Sequence, residues 1–344
     1  MAKKPVSRSV LFYKRMIAAT LALIIVTLAV VAICCALELR DARGELQELQ
    51  DKLLELQLQA AEAEAERLQN VIPPEQPKPV GEASAADIIA ENTLVAHAMG
   101  AAGDVVGLNC LEGFVERYEA GIRVFEADLR MTSDGYVVLR HDWVGGLQEG
   151  ANPTNIPTRE EFLSMRILDK YTPLSFRDLL LLMVQYPDVC IITDTKLLDT
   201  EAVTLQFQSM VDEAHSLGLS YLFDRMIVQV YSPEHYAVVD GVYHFPHYIY
   251  TLYQDYFGRT EDSFRNKVVF CEENGILGLT LNAEVWDPAY APIADWHGVR
   301  VCVHEIDDVD EAKELLRTGV RAIYTNTLVP ADMETDADTA AEND

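Results

Sequence analysis

Glu126 and Asp128 stand two residues apart near the end of an apolar run, and Asp194 and Lys196 repeat that spacing at the end of IITDTK. A period of two puts both side chains of each pair on one face of an extended strand. His97 closes another apolar run, and His141, followed by Asp142, closes a further one. Carboxylates, imidazoles and an ammonium are the side chains that neutralise charge and move protons near neutral pH. Each alone is a weak sign, because a carboxylate at a strand end is usually solvated or paired with a nearby lysine. Three carboxylates, two imidazoles and one ammonium, each at the carboxyl end of a strand, rarely arise through packing alone.

Positioning such groups is the task of the surrounding elements. Strand-like runs fall at residues 93–97, 123–128, 136–141, 189–194, 226–230, 248–252, 278–281, 300–304 and 321–325. Helical patterns lie between many of them, as at 110–120, 175–186, 200–217 and 309–318. Apolar, β-branched strands interleaved with amphipathic helices over residues 89–330 indicate an α/β domain with a parallel sheet, and a closed (β/α)8 TIM barrel fits the length. An open doubly wound sheet is the alternative, made less attractive by the lack of a Gly-rich phosphate loop at the first strand–helix turn. In a barrel the carboxyl ends of the strands meet at one mouth, so the six groups would share one cavity.

The order of these motifs resembles that of the glycerophosphodiester phosphodiesterases. AHAMG, then NCLEGF, then GIRVFEADLRMTSDGYVVLRHDW look like the family's His-Arg-Gly, Glu-Asn-Thr, Glu-x-Asp, Thr-x-Asp-Gly and His-Asp series. The resemblance covers most of residues 93–330. It implies that His97 and His141 are the catalytic pair, that Glu126 and Asp128 are metal ligands, and that Asp194 takes the place of the third acidic ligand, usually Glu. The Asp-x-Lys form of Asp194 and Lys196 is closer to the sphingomyelinase D-like phospholipases. Asn109 matches a position that touches metal or substrate, although capping the following helix explains it equally well. Two departures stand out. His97 is followed by Ala98 where the family has a phosphate-contacting Arg, and Thr325-Asn326 stands where many members have Thr-Asp. Phosphate binding would then lean on Lys196, a metal ion or backbone amides.

Cleavage of a phosphodiester asks for these residue types. Negative charge gathers on the phosphoryl oxygens as phosphorus becomes pentacoordinate, and a hard divalent ion on carboxylate oxygens offsets it, which favours Mg²⁺ or Ca²⁺. Lys196 adds a fixed positive charge. One histidine takes a proton from the attacking hydroxyl and the other protonates the leaving alkoxide. The residues leave open which is which. His304, Trp143, Tyr231 and Tyr250 are candidates for the cavity wall, with a structural role the plainer reading of each. Glu112 is as readily a structural partner, and Cys110 has no dedicated base that would make it a nucleophile.

Outside the barrel the composition changes sharply. The chain carries a formal charge of −28, and its first fifteen residues hold Lys3, Lys4, Arg8, Lys14 and Arg15 without an acid. So acidic a body excludes nucleic acid as a partner, since phosphate neutralisation needs clustered Lys and Arg. Residues 17–37 carry no charge, and as a helix would span about 32 Å, the thickness of a bilayer core. A cleaved leader would be shorter, and Ile33 is too bulky for a lipoprotein site at Cys34. Residues 16–37 are therefore expected to be a transmembrane signal anchor, with the basic segment 1–15 cytoplasmic and the barrel on the far side. Residues 38–70 read as a helical stalk, and the spacing of Leu46, Leu49, Leu53 and Leu56 suits a short coiled coil pairing copies of the chain. A Pro-rich linker follows at 71–88. The acidic tail 331–344 has almost nothing to bury and is expected to be disordered. Cys190 and Cys302 lie in apolar strands and are expected to be buried free thiols.

Two other functions compete with hydrolysis. One is an inactive barrel used as a membrane-tethered binding or scaffold module, favoured by the missing Arg. The other is a metal-assisted isomerase or aldolase, which rests on fold alone.

Overall fold

The computed structural model of the protein describes residues 83–144, 155–253 and 259–334, together with the helical positions Glu48 and Lys52. The expected anchor, nearly all of the expected stalk, most of the linker and residues 335–344 of the acidic tail lie outside the described residues. Among the described residues no helix is long and apolar enough to cross a membrane. The chain divides at Pro73 and Pro74 into two units, and the elements below belong to the second.

In that unit strands and helices alternate as β1 (Leu94–Ala96), α2 (Leu111–Glu119), β2 (Val124–Met131), β3 (Val137–Leu139), α3 (Arg159–Ser164), α4 (Phe176–Gln185), β4 (Cys190–Thr195), α5 (Thr200–Ser216), β5 (Met226–Val230) and α6 (Pro233–Val242). They continue as β6 (Tyr248–Thr251), α7 (Glu261–Glu273), β7 (Gly278–Asn282), α8 (Ala291–Trp296), β8 (Arg300–His304), α9 (Val309–Arg317), β9 (Ala322–Thr325) and α10 (Pro330–Met333), with α1 (Ala85–Glu91) ahead of β1. Eight strands form a parallel ring. Neighbours run β1-β9-β8-β7-β6-β5-β4-β2, and a further β1–β2 pairing closes it. Closure leaves the ring itself without a free edge. The expected (β/α)8 barrel is the architecture found, and the open doubly wound sheet is not.

Alternation along each strand sorts the core from the mouth. Val95, Val124, Cys190, Ile192, Ile227, Ile249, Cys302, Ala322 and Tyr324 belong to one buried cluster inside the ring. Stepping onward by two reaches His97, Glu126 and Asp128, Asp194 and Lys196, Gln229, Thr251, His304 and Asn326. The same pleat that buries an apolar floor thus raises a polar layer above it. Cys190 and Cys302 are buried and free, as expected.

Helix α1 closes the floor. Ser84 and Asp87 form a capping box at its start, and Ala85, Ile88 and Ile89 join the interior cluster. Fully burying a residue such as Ile89, 1% exposed, contributes roughly 1.5–3 kcal/mol. The linker expected over 71–88 therefore ends earlier, because residues 85–88 are helical and packed.

The third strand departs from the sequence reading. β3 pairs antiparallel with the overhanging end of β2, through Leu129↔Leu139, Arg130↔Val138 and Met131↔Val137. It forms a hairpin with β2 outside the ring. Asp134 and Gly135 turn the chain back, with Gly135 at φ +84°.

Candidate active site

The polar layer opens into a cleft of about 320 Å³ whose walls include His97, Glu126, Arg130, His141, Asp194, Lys196, Gln229, Tyr231, Tyr253 and His304. Of the seven residues singled out by sequence, five line it directly. Asp128 lies just beneath, 1% exposed. Asn109 does not line the cleft, and it does not cap the following helix. Its side chain is buried against Asp128, with Nδ2 donating to Asp128 Oδ2 (2.6 Å) and Oδ1 accepting the Asp128 N–H (2.9 Å). The cap of α2 is Cys110, whose Sγ accepts from the Gly113 N–H. Burial pushes the Cys110 thiol up to about 12, so it is no nucleophile.

His97 sits in a tight turn directly after β1. Met99 and Gly100 both have positive φ there. At Gly100 a Cβ would come within 2.4 Å of the Arg117 side chain, so glycine is what lets the turn lie against α2. The His97 ring is fixed from behind. Nδ1 lies 3.0 Å from Asn326 Oδ1, and Asn326 Nδ2 donates to Asp307 Oδ2 (2.9 Å). Asp307 can only accept, so the Asn326 amide must present its oxygen to His97, which then carries its proton on Nδ1. Burial works to raise the Asp307 carboxyl, but hydrogen bonds from Asn326, Thr325 and Thr327 outweigh it and hold the carboxyl below its usual range. The other ring nitrogen, Nε2, faces the carboxylates, 3.9 Å from Glu126 and 3.5 Å from Glu305.

Glu126, Asp128 and Asp194 each offer an oxygen within 4.8 Å of the others. Burial, followed by Asp128 and Asp194, raises the Glu126 carboxyl well above its ordinary value. Glu126 Oε2 accepts the Ala98 N–H at 2.6 Å, while Oε1 is buried with no hydrogen-bond partner among the described residues. Lys196 pairs with Asp128 Oδ1 at 2.7 Å and with Asp194 Oδ2. Burial alone would lower its ammonium, and the three carboxylates more than reverse that and raise it. Tyr231 donates its hydroxyl to Asp194 Oδ1. Three clustered carboxylates against one ammonium, with an orphaned buried oxygen, are a donor set suited to a hard divalent cation.

His141 reaches the mouth by another route than that expected. The β2–β3 hairpin returns the chain to the rim of the barrel, where the Arg140 N–H bonds Asp128 O at 2.9 Å. The imidazole is 57% exposed, and its Nδ1 lies 3.0 Å from Asp142 Oδ2. Behind it is a residue the sequence reading missed. Arg130 donates through Nε to His141 O (2.8 Å) and through Nη1 to Lys196 O (2.9 Å). One guanidinium thus ties together the two loops that carry His141 and Lys196. The signal was present, since Glu126, Asp128 and Arg130 continue one face of β2.

The remaining candidates divide. His304 lines the cleft, and burial, with His97 and Lys196 nearby, lowers its imidazole to about 4, so it stays neutral. Trp143 packs edge-on against Phe162 and Tyr250 is fully buried; neither belongs to the wall. Glu112 accepts from the Thr172 backbone and hydroxyl, the structural role. Glu305, Asp307 and Gln229 had no local motif to mark them.

The profile of the Glycerophosphoryl diester phosphodiesterase family matches residues 99–329, more than half of the chain. No curated protein matches the sequence. Among solved structures, a Silicibacter pomeroyi protein described as a glycerophosphoryl diester phosphodiesterase is 16% identical with a TM-score of 0.60, over 73% of this chain and 96% of its own. A Parabacteroides distasonis glycerophosphodiester phosphodiesterase is 16% identical with a TM-score of 0.57, over 72% and 98%. An Oleispira antarctica phosphodiesterase in complex with its product sn-glycerol-3-phosphate is 14% identical with a TM-score of 0.55, over 73% and 97%. At these identities the likeness carries the fold.

Proposed function

The chain belongs to the glycerophosphoryl diester phosphodiesterase family, and we propose that it hydrolyses the phosphodiester bond of glycerophosphodiesters or related phospholipids. The observation that carries this reading is the convergence of His97, Glu126, Asp194, Lys196 and His141 on one cleft. The product complex of the Oleispira antarctica phosphodiesterase suggests the outcome here: water adds to phosphorus, the alcohol departs, and phosphate stays on glycerol.

Glu126, Asp128 and Asp194 would hold a divalent cation, Mg²⁺ or Ca²⁺. Bound there, it offsets charge on the phosphoryl oxygens. Lys196 supplies a second, fixed positive charge, which matters because Ala98 replaces the family's Arg. His97, with its proton held on Nδ1 by neutral Asn326, presents the Nε2 lone pair and accepts the proton of the attacking water. His141, oriented by Asp142 Oδ2 at 3.0 Å from its Nδ1, would deliver a proton from Nε2 to the leaving alkoxide. Asn109 and Arg130 act at one remove, aiming Asp128 and the loops of His141 and Lys196.

The proposal extends to place. The uncharged run 16–37 anchors the chain, the barrel works outside the membrane, and residues 38–70 pair copies of it. Membrane fractionation with protease protection, and crosslinking at Leu49, test these points.

The decisive assay uses the full-length chain on glycerophosphocholine, with and without EDTA, beside His97→Ala and Glu126→Gln. Divalent-dependent release of choline that both variants abolish supports the reading. A folded chain that cleaves no phosphodiester, and whose melting temperature no divalent ion raises, would place the inactive-scaffold reading first.

A further inference from the structure

Tyr324 interrupts the apolar floor of the ring. It belongs to the buried cluster with Val95, Val124 and Ile192, and the register sets it beside Val95, which pairs in turn with Val124. Those two valines lie one pleat step below His97 and Glu126. A step of two residues along a strand is roughly 6.6 Å, close to the length of a tyrosine side chain. Rooted in the floor, Tyr324 therefore also lines the acidic cleft, where its ring lies edge-on to that of His304 at 6.0 Å.

The residue is 3% exposed, and its hydroxyl is buried with no hydrogen-bond partner among the described residues. Burial, followed by Cys302, Glu126 and Asp194, holds the phenol far above its ordinary range, so the hydroxyl is neutral. Two of those three neighbours belong to the acid cluster, and in that cluster Glu126 Oε1 is likewise buried and unpartnered. Other tyrosine hydroxyls in the barrel are used: that of Tyr231 donates to Asp194 and that of Tyr248 to Asp240 at 3.0 Å. A buried hydroxyl without a partner costs stability, and phenylalanine would fill the same volume without that cost. Nothing within the folded barrel accounts for the oxygen of Tyr324, whereas a ligand held by the acid cluster does.

We infer that Tyr324 is a positioning residue for the divalent cation, its hydroxyl serving the ion and its hydration water from the floor side while Glu126, Asp128 and Asp194 hold the ion by charge. This rests on the reading of the three carboxylates as a cation site. Hard divalent cations gather about six oxygens or more, so three carboxylates leave places for neutral ones. A phenol oxygen fills such a place without adding charge to a cluster that already carries three acids. It can also turn either a lone pair or its proton toward the ion's surroundings. The hydroxyl takes no part in bond making: it fixes where the ion sits, and the ion's affinity is the quantity that reads it.

The test strips the full-length chain with EDTA and titrates Ca²⁺ and Mg²⁺ into it by calorimetry. Tyr324→Phe is measured beside Tyr248→Phe, a control whose hydroxyl has partners in the fold. For Tyr324→Phe the expected result is a Kd for the ion raised about tenfold or more, with an ion-free melting temperature equal to that of the natural chain or higher. Tyr248→Phe should do the reverse, melting lower and binding the ion as before. In turnover of glycerophosphocholine, Tyr324→Phe should need about tenfold more ion for half its maximal rate. At saturating ion its kcat should return to within a few-fold of the natural value. An unchanged Kd in Tyr324→Phe overturns the inference and leaves the cation site standing. So does a Tyr324→Phe chain that melts lower without ion or fails to fold, since the hydroxyl would then have its partner within the fold. If the natural chain binds neither ion, the cation-site reading falls, and the inference with it.

Discussion

Asn326 Oδ1 lies 3.0 Å from His97 Nδ1 across 229 residues of chain, and a buried-facing amide thereby decides which nitrogen of a cleft histidine is free to take a proton. Replacing Asn326 by Leu removes that lock. The expected result is kcat lower by about 10–100-fold with KM nearly unchanged, because tautomer and ring orientation matter in the proton-transfer step.

Asp307 holds the amide from behind, and its carboxyl sits below the ordinary value of 3.8 in the folded chain. A depressed folded value means stability that is present above the unfolded value and lost as pH falls through the folded one. Asp307→Asn should melt a few degrees lower than the natural chain near neutrality. That gap should narrow as the pH falls below the ordinary value of 3.8 and through the depressed folded one. Melting curves against pH check it, and a gap independent of pH would refute the assignment.

Arg130 bonds the carbonyls of His141 and Lys196 through two different nitrogens. Lysine has the charge but a single point of attachment. Arg130→Lys is expected to lower kcat about tenfold, and Arg130→Met to do no worse than a further few-fold. Were charge alone the function, lysine would restore full activity.

Lys196 pairs with Asp128 and Asp194 at the head of the acid cluster. Lys196→Met should reduce kcat by about 10²–10³, the usual loss when a preorganised charge facing a developing oxyanion is removed. Glu126→Gln is read differently, by heat. In the natural chain Mg²⁺ or Ca²⁺ is expected to raise the melting temperature, and in the variant that increment should vanish.

Ile89 of α1 is 1% exposed beneath the barrel floor. Ile89→Ala should destabilise the barrel by about 2–4 kcal/mol in urea titrations. A loss under 1 kcal/mol would mean that the helix is dispensable to the ring.

Much of this protein was legible before any coordinates. The pleat of a strand depends only on neighbouring residues, so Val124, Glu126 and Asp128 had to share a face, as did Ile192 and Asp194. Once strands alternate with helices, a parallel ring that gathers their carboxyl ends follows. The sequence by itself therefore determined the barrel, its acidic layer and the approach of His97 and Lys196 to one mouth. What it did not determine is everything set by how the ring closes. That β3 turns back antiparallel on β2 is decided by a turn and by pairing, not by the composition of β3. Asn109 meets Asp128 only because the loop after β1 folds under β2. The relay from Asp307 through Asn326 to His97 exists only when β9 lies beside β1. Nor does any local pattern bring Tyr324 near Glu126, since β1 must first lie between β9 and β2. Periodicity is a property of adjacent residues, whereas these contacts are made by chain segments far apart in sequence, and only the closed tertiary structure brings them within reach.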